Sequence, residues 1–181
     1  MMTKTAESMA AQTKAAPAAG KEREALAAAE AALFRVEPLT AAHLPRACQM
    51  FMAAFNAPPW NDAWTEETAG RRLAQLLGHR EAFGLAAYTE DGFSGWILGE
   101  REQYYDGVVF QVKEFCVDAA CQAKGLGGKI LAELERRLFA EGIKEITLLT
   151  STDEKPRRFY GRQGYRDSDK MGLMTKELRR G

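Results

Sequence analysis

At 181 residues the chain is long enough to bury one proper core and too short for two comfortable ones. Lys plus Arg and Asp plus Glu stand at 25 each, so no basic excess points to nucleic acid and a small partner is the expectation. No apolar run approaches the roughly 20 residues that span a bilayer, the opening MMTKTAESMAAQTKAAPAAG lacks a signal-peptide core, and Cys48, Cys116 and Cys121 have neither a paired framework nor zinc spacing; a cytoplasmic protein with reduced thiols, no metal and no membrane contact is predicted.

Residues 1–33 read as a flexible, Ala-rich tail, part helical at most, because the run from Lys21 has high helix propensity but little beyond alanine to bury. Residues 34–181 read as one domain. FRVEPL is a short strand ended by Pro38. TAAHLPRACQMFMAAF is a helix capped by Thr40, with Leu44, Ala47, Cys48, Phe51 and Phe55 on one side and Pro45 in the first turn, where its missing N–H costs least. After NAPPWNDAW breaks the pattern, TEETAGRRLAQLLG restarts a helix with Thr65 as N-cap, Glu66 and Glu67 in the first turn and Gly78 beyond the end. Two strands joined across Glu90-Asp91-Gly92, and a third, VVFQVKEFCVD, entered through Asp106-Gly107, form an antiparallel meander.

The helix GLGGKILAELERRLFAEG follows, burying Ile130, Leu131, Leu134 and Leu138 and ended by Gly142. KEITLLT is nearly all apolar, as a strand covered on both faces would be. DEKPRRFYGRQG makes about two helical turns, and GYRDSDKMGLMTKEL a last pair of short strands or one interrupted strand. This order predicts an α/β (α+β) architecture: a mixed, mostly antiparallel sheet with helices on both faces.

In CQAKGLGGKILAELERRL a strand gives way to glycines that open a helix, the arrangement in which backbone N–H groups converge on an anion. Gly125, Gly127 and Gly128 would let the backbone approach a phosphate, with Gln122 and Lys124 adding a donor and a charge. A P-loop is excluded, since Gly128-Lys129 is followed by Ile130 and position 123 is Ala. A dinucleotide turn fits poorly, since Ile130 replaces its third glycine and hairpin strands precede the motif.

Gln122-Ala123-Lys124-Gly125-Leu126-Gly127-Gly128 resembles the Q/R-x-x-G-x-G/A signature of the GNAT acetyltransferases. FCVD before it, ITLLT after it, and then FYGRQGY are similar to that family's strand ends and FYEKxGF segment, over roughly residues 34–178. The resemblance implies the GNAT fold and acetyl-CoA as cosubstrate. Its pyrophosphate would rest on Gln122, Ala123, Lys124, Gly125, Leu126, Gly127, Gly128 and Lys129, and its pantetheine arm on Phe115, Cys116 and Val117. The family's frequent Asn seven residues before the Tyr of FYxxxGF is Asp153 here, a cofactor-side position whose contact is altered. The resemblance also implies direct attack by a primary amine within a ternary complex, and it leaves a homodimer open.

Tyr160 aligns with the tyrosine that can protonate the CoA sulfur; packing its ring on the sheet is the bland reading. Glu114 is the candidate general base. Strand alternation groups it with Phe110, Val112 and Cys116, where burial would raise its pKa, and a structural salt bridge with an arginine or with the neighbours of Lys113 is the alternative. Cys116 has no histidine partner in the sequence and reads as a buried structural thiol. For the acceptor, Trp60, Trp64, Glu100 and Tyr104 offer aromatic faces and a carboxylate suited to a small cationic amine, although tryptophans also staple loops to cores. A non-catalytic CoA-binding module, or an enzyme acting on protein or peptide amines, stays open at this point.

Overall fold

The computed structural model describes residues 34–178 apart from Pro59 and Ala123; the expected tail, residues 1–33, and Ala123 of the glycine turn lie outside the described residues. β1 (Arg35–Pro38) leads through a short 3-10 turn, Ala41–His43, into α1 (Leu44–Phe55). Thr40 thus caps the 3-10 turn, and Pro45 falls at the start of α1, as its lack of an N–H favours. α2 (Glu66–Leu77) begins where the Thr65 side chain accepts the Thr68 N–H at 3.2 Å. β2 (Ala82–Thr89), β3 (Gly92–Tyr104) and β4 (Gly107–Val117) form the meander, and α3 (Leu126–Ala140), β5 (Glu145–Leu148) and α4 (Glu154–Arg162) follow.

The sheet runs β1-β2-β3-β4-β5, antiparallel except for the parallel β4/β5 pair across the α3 crossover. Two apolar layers hold the helices to it. On one face Ala47, Cys48, Met50 and Phe51 of α1 and Ala69 and Leu73 of α2 pack with Trp96, Leu98 and Cys116. On the other, Ile130, Leu131, Leu134 and Leu138 of α3 pack with Leu85, Ile97, Phe110 and Val112, and α4 adds Phe159 and Tyr160. Each fully buried leucine or isoleucine contributes about 1.5–3 kcal/mol over an exposed one, so this stripe is what docks α3.

A bulge divides β4. Gly99 of β3 faces Val112, and the next residue, Leu98, faces Glu114, so Lys113 is the extra residue. Side-chain parity therefore changes along the strand. Phe110 and Val112 lie on the α3 face, whereas Cys116, opposite Trp96, lies on the α1/α2 face, and Glu114 goes with it. Simple alternation, which puts all four on one face, fails here.

Two other expectations change. β5 is an edge strand, half-buried rather than covered on both faces, with Leu149 just beyond it 72% exposed. Residues 166–178 form no strand: charges at Arg166, Asp167, Asp169 and Lys170 and the break at Gly172 deny the segment a continuous apolar face, and Met171, Leu173, Met174 and Leu178 are exposed. No helix among the described residues is long and apolar enough to cross a membrane.

Candidate active site

The site starts from how β4 and β5 part. Their pairing runs from Val109–Glu145 to Val112–Leu148 and stops, so β4 continues through Lys113, Glu114, Phe115, Cys116 and Val117 with no strand on that edge among the described residues. Backbone groups left unpaired there can bond an extended, amide-bearing ligand arm, which is what the pantetheine expectation for residues 115–117 requires.

Below that edge lies the start of α3. Its N-cap, Gly125, has φ 79° and no side chain to offer, so the first-turn N–H groups of Leu126, Gly127 and Gly128 look outward for an acceptor. The left-handed φ accounts for glycine at 125. Gly127 and Gly128 have another reason. A Cβ on Gly127 would sit 3.3 Å from the Phe159 ring, and one on Gly128 would sit 3.4 Å from the Gln163 amide. These two glycines let α4 close on α3, a role that the turn's sequence does not reveal. The Leu126 side chain is buried, leaving only its backbone for a ligand. Gln122 donates to the Val117 carbonyl at 3.3 Å and so ties the turn to β4. Lys124 is exposed, and the Lys129 ammonium lies 5.8 Å over the Phe34 ring. Three outward N–H groups and two lysines fit an anionic, phosphate-bearing group. Asp153 instead stands at the N-cap of α4, its carboxylate accepting from Ser151 Oγ at 2.6 Å. That arrangement supports the helix start and offers a phosphate nothing.

Glu114 and Tyr160 approach the unpaired edge from different layers. Glu114 is 7% exposed, and Arg72 of α2 grips its Oε1 through Nε at 2.6 Å and NH2 at 2.5 Å. Burial raises its pKa and Arg72 opposes that, with burial winning. Arg72, 42 residues away in sequence, is the partner that sequence reading left unnamed. Its place beside the buried Ala69 and Leu73, on a helix packed against the sheet, is the signal that could have found it. The half-buried Tyr160 has its ring edge-on to Phe159 at 5.0 Å and 5.7 Å from Tyr165. Burial pushes its pKa up to about 12. Cys116 lies within electrostatic reach of both groups, and burial drives its thiol pKa far up, which rules against a thiolate nucleophile.

The acceptor residues separate into two groups. Trp64 packs edge-on to Phe51 at 5.0 Å, donates Nε1–H to Asp62 at 2.9 Å, and exchanges two hydrogen bonds with the Asn56 amide. It staples the loop to α1. Trp60, 41% exposed, leans on Phe55 at 5.5 Å. Glu100 lies beyond the other end of α2, held by His79 at 3.0 Å and Lys113 at 2.7 Å, and Tyr104 is exposed at the end of β3. A 12-residue helix is about 18 Å long. The tryptophans and Glu100 therefore flank Glu114 rather than meet. No group of three His, Cys, Asp or Glu residues among the described residues could hold a metal ion.

The family model described as Acetyltransferase (GNAT) family matches residues 44–165. A search of curated proteins finds no match. Among solved structures, an aminoglycoside acetyltransferase from an uncultured soil metagenomic sample, in complex with sisomicin, is 17% identical, with a TM-score of 0.64 over 81% of this chain and 97% of that one. A ribosomal-protein-alanine N-acetyltransferase from Brucella melitensis biovar Abortus 2308 is 14% identical, with a TM-score of 0.65 over 80% and 99%. An aminoglycoside N-acetyltransferase in complex with CoA is 12% identical, with a TM-score of 0.63 over 80% and 95%. At these identities the likeness is one of fold.

Proposed function

The chain belongs to the GNAT acetyltransferase family, and from that premise we propose that it transfers an acetyl group from acetyl-CoA to a primary amine of a small cationic molecule. The observation that carries the reading is the junction of the unpaired β4 edge with the outward N–H groups of α3. One suits an amide-bearing arm and the other a pyrophosphate, and few ligands carry both. A neighbour of this fold solved with CoA, and another solved with sisomicin, an aminoglycoside acetyltransferase, support the cosubstrate and the amine class.

Each residue then has a defined task. The thioester supplies the acetyl group. Glu114 takes one proton from the acceptor ammonium, freeing the nitrogen lone pair that forms the C–N bond as the C–S bond breaks. Tyr160 gives its proton to the departing sulfur. With a tyrosine pKa of about 12 against about 8.5 for a thiol, that transfer alone is uphill by about 5 kcal/mol. Tyr160 must therefore act as a relay, regaining a proton from the acceptor nitrogen as it gives one up. Glu114 returns its proton to water, and the sum is amide, thiol and one released proton.

Calorimetric titration with acetyl-CoA is the first test, with micromolar binding expected; no heat at millimolar cosubstrate would sink the proposal. Thiol release with sisomicin and with a peptide bearing an N-terminal alanine then separates two acceptor classes. The second is kept open by the ribosomal-protein-alanine N-acetyltransferase of similar fold. Binding without thiol release to any amine would favour a non-catalytic CoA-binding module.

A further inference from the structure

Both Arg72 nitrogens reach the same oxygen of Glu114, Oε1, while Oε2 has no hydrogen-bond partner and is absent from the fully occluded unpartnered polar atoms. A carboxylate on a residue 7% exposed is thus held on one side and left open on the other. The guanidinium comes from α2, a helix separate from the strand that carries the acid, and its side chain is itself 43% exposed, so it enters from the solvent side of the acceptor region. A salt bridge serving stability alone would engage both oxygens in the bidentate fork that Arg and carboxylate favour.

We propose that Arg72 is a positioning residue for acetyl transfer: it clamps Oε1 of Glu114 from α2 and so presents Oε2 to the acceptor ammonium. This rests on Glu114 being the general base. The bulge at Lys113 is what makes the clamp attainable, because it turns Glu114 from the α3 face to the α2 face. The titratable groups on the surrounding elements are few. Cys116 and Lys113 neighbour Glu114 on β4, Lys113 being engaged by Glu100 of β3; His79 follows α2 and is also on Glu100; Cys48 lies on α1. Arg72 is the cation that touches Glu114. Without it, burial acts unopposed, Glu114 binds its proton to higher pH, and the acidic limb of the activity profile moves upward.

The test follows the carboxyl carbon of Glu114 by NMR in the full chain labelled with 13C-glutamate, the resonance being the one missing from Glu114→Gln. In Arg72→Gln the titration midpoint should rise by about one unit or more, and in Arg72→Lys by less, since an ammonium restores the charge without the two-point grip. Should Arg72→Gln fail to fold, Arg72→Met keeps the apolar stem along α2 and serves the same comparison. An unchanged midpoint in the folded variant overturns the proposal. Thiol release with sisomicin or the alanyl peptide gives the second readout: the acidic limb of kcat/KM should shift with the NMR midpoint, with a loss of roughly ten-fold at neutral pH. Full activity in Glu114→Gln defeats the general-base reading itself. An inactive Glu114→Gln beside an Arg72→Gln with the wild-type limb defeats only the role of Arg72.

Discussion

The two halves of β4 are built alike and used differently. From Val109 to Val112 the strand pairs with β3 on one side and β5 on the other, while from Lys113 to Val117 it pairs with β3 alone. The first half is core. The second faces the start of α3 with backbone and the acceptor side with the Glu114 carboxylate. A binding edge arises here because a neighbouring strand ends early, with no part added. It follows that the cosubstrate side is made chiefly of main chain and the acceptor side chiefly of side chains, so substitutions should separate them.

The largest expected effect tests the chemistry between the two sides. Tyr160→Phe should lower kcat about 100-fold while leaving CoA affinity within error, because it removes a proton and no contact with the glycine turn. Equal losses in kcat and CoA binding would instead make Tyr160 part of the cofactor wall. Next come the tryptophans. Trp64→Ala should lower stability by about 2 kcal/mol in denaturant unfolding, while Trp60→Ala should cost under about 0.5 kcal/mol and act on the acceptor KM, given their unequal anchorage. If Trp60 proved the more destabilising, the loop would be misread. On the main-chain side, Gly125→Ala should cost about 1 kcal/mol and weaken CoA binding in calorimetry, since φ is 79° there. The smallest effect is remote from both sides. Arg136 and Arg137 hold the Glu133 pKa down to about 2, below an unfolded value of about 4.5. The stabilisation is complete above the unfolded value and fades as pH falls through about 2; its partly exposed setting limits it to about 1 kcal/mol. Glu133→Gln should flatten that acid limb of stability without touching CoA affinity.

Much of the cosubstrate side was legible because main-chain sites leave compositional traces. Gly125 marks a left-handed turn, and the apolar stripe of Ile130, Leu131, Leu134 and Leu138 fixes how α3 lies beneath it. The strand and helix positions of the meander followed from period and turn residues in the same way. What stayed hidden depends on tertiary neighbours. Gly127 and Gly128 look like ligand contacts until Phe159 and Gln163 are seen against them. Arg72 carries no local sign of its partner. Residues 166–178 contain enough methionine and leucine to suggest strands, yet their charges and spacing give no one face to bury. Glu114 was named correctly as a buried acid but on the wrong face, because an extra residue in a strand has no signature in hydrophobic alternation.

The bulge at Lys113 also makes β4 intolerant of a change in length that its loops would absorb. Removing one residue there would restore regular alternation and exchange the places of neighbours, sending Phe115 and Val117 toward α2 and Glu114 and Cys116 into the leucines of α3. Anyone transplanting this strand, or aligning it against a relative without a gap, must therefore conserve a count as well as a composition.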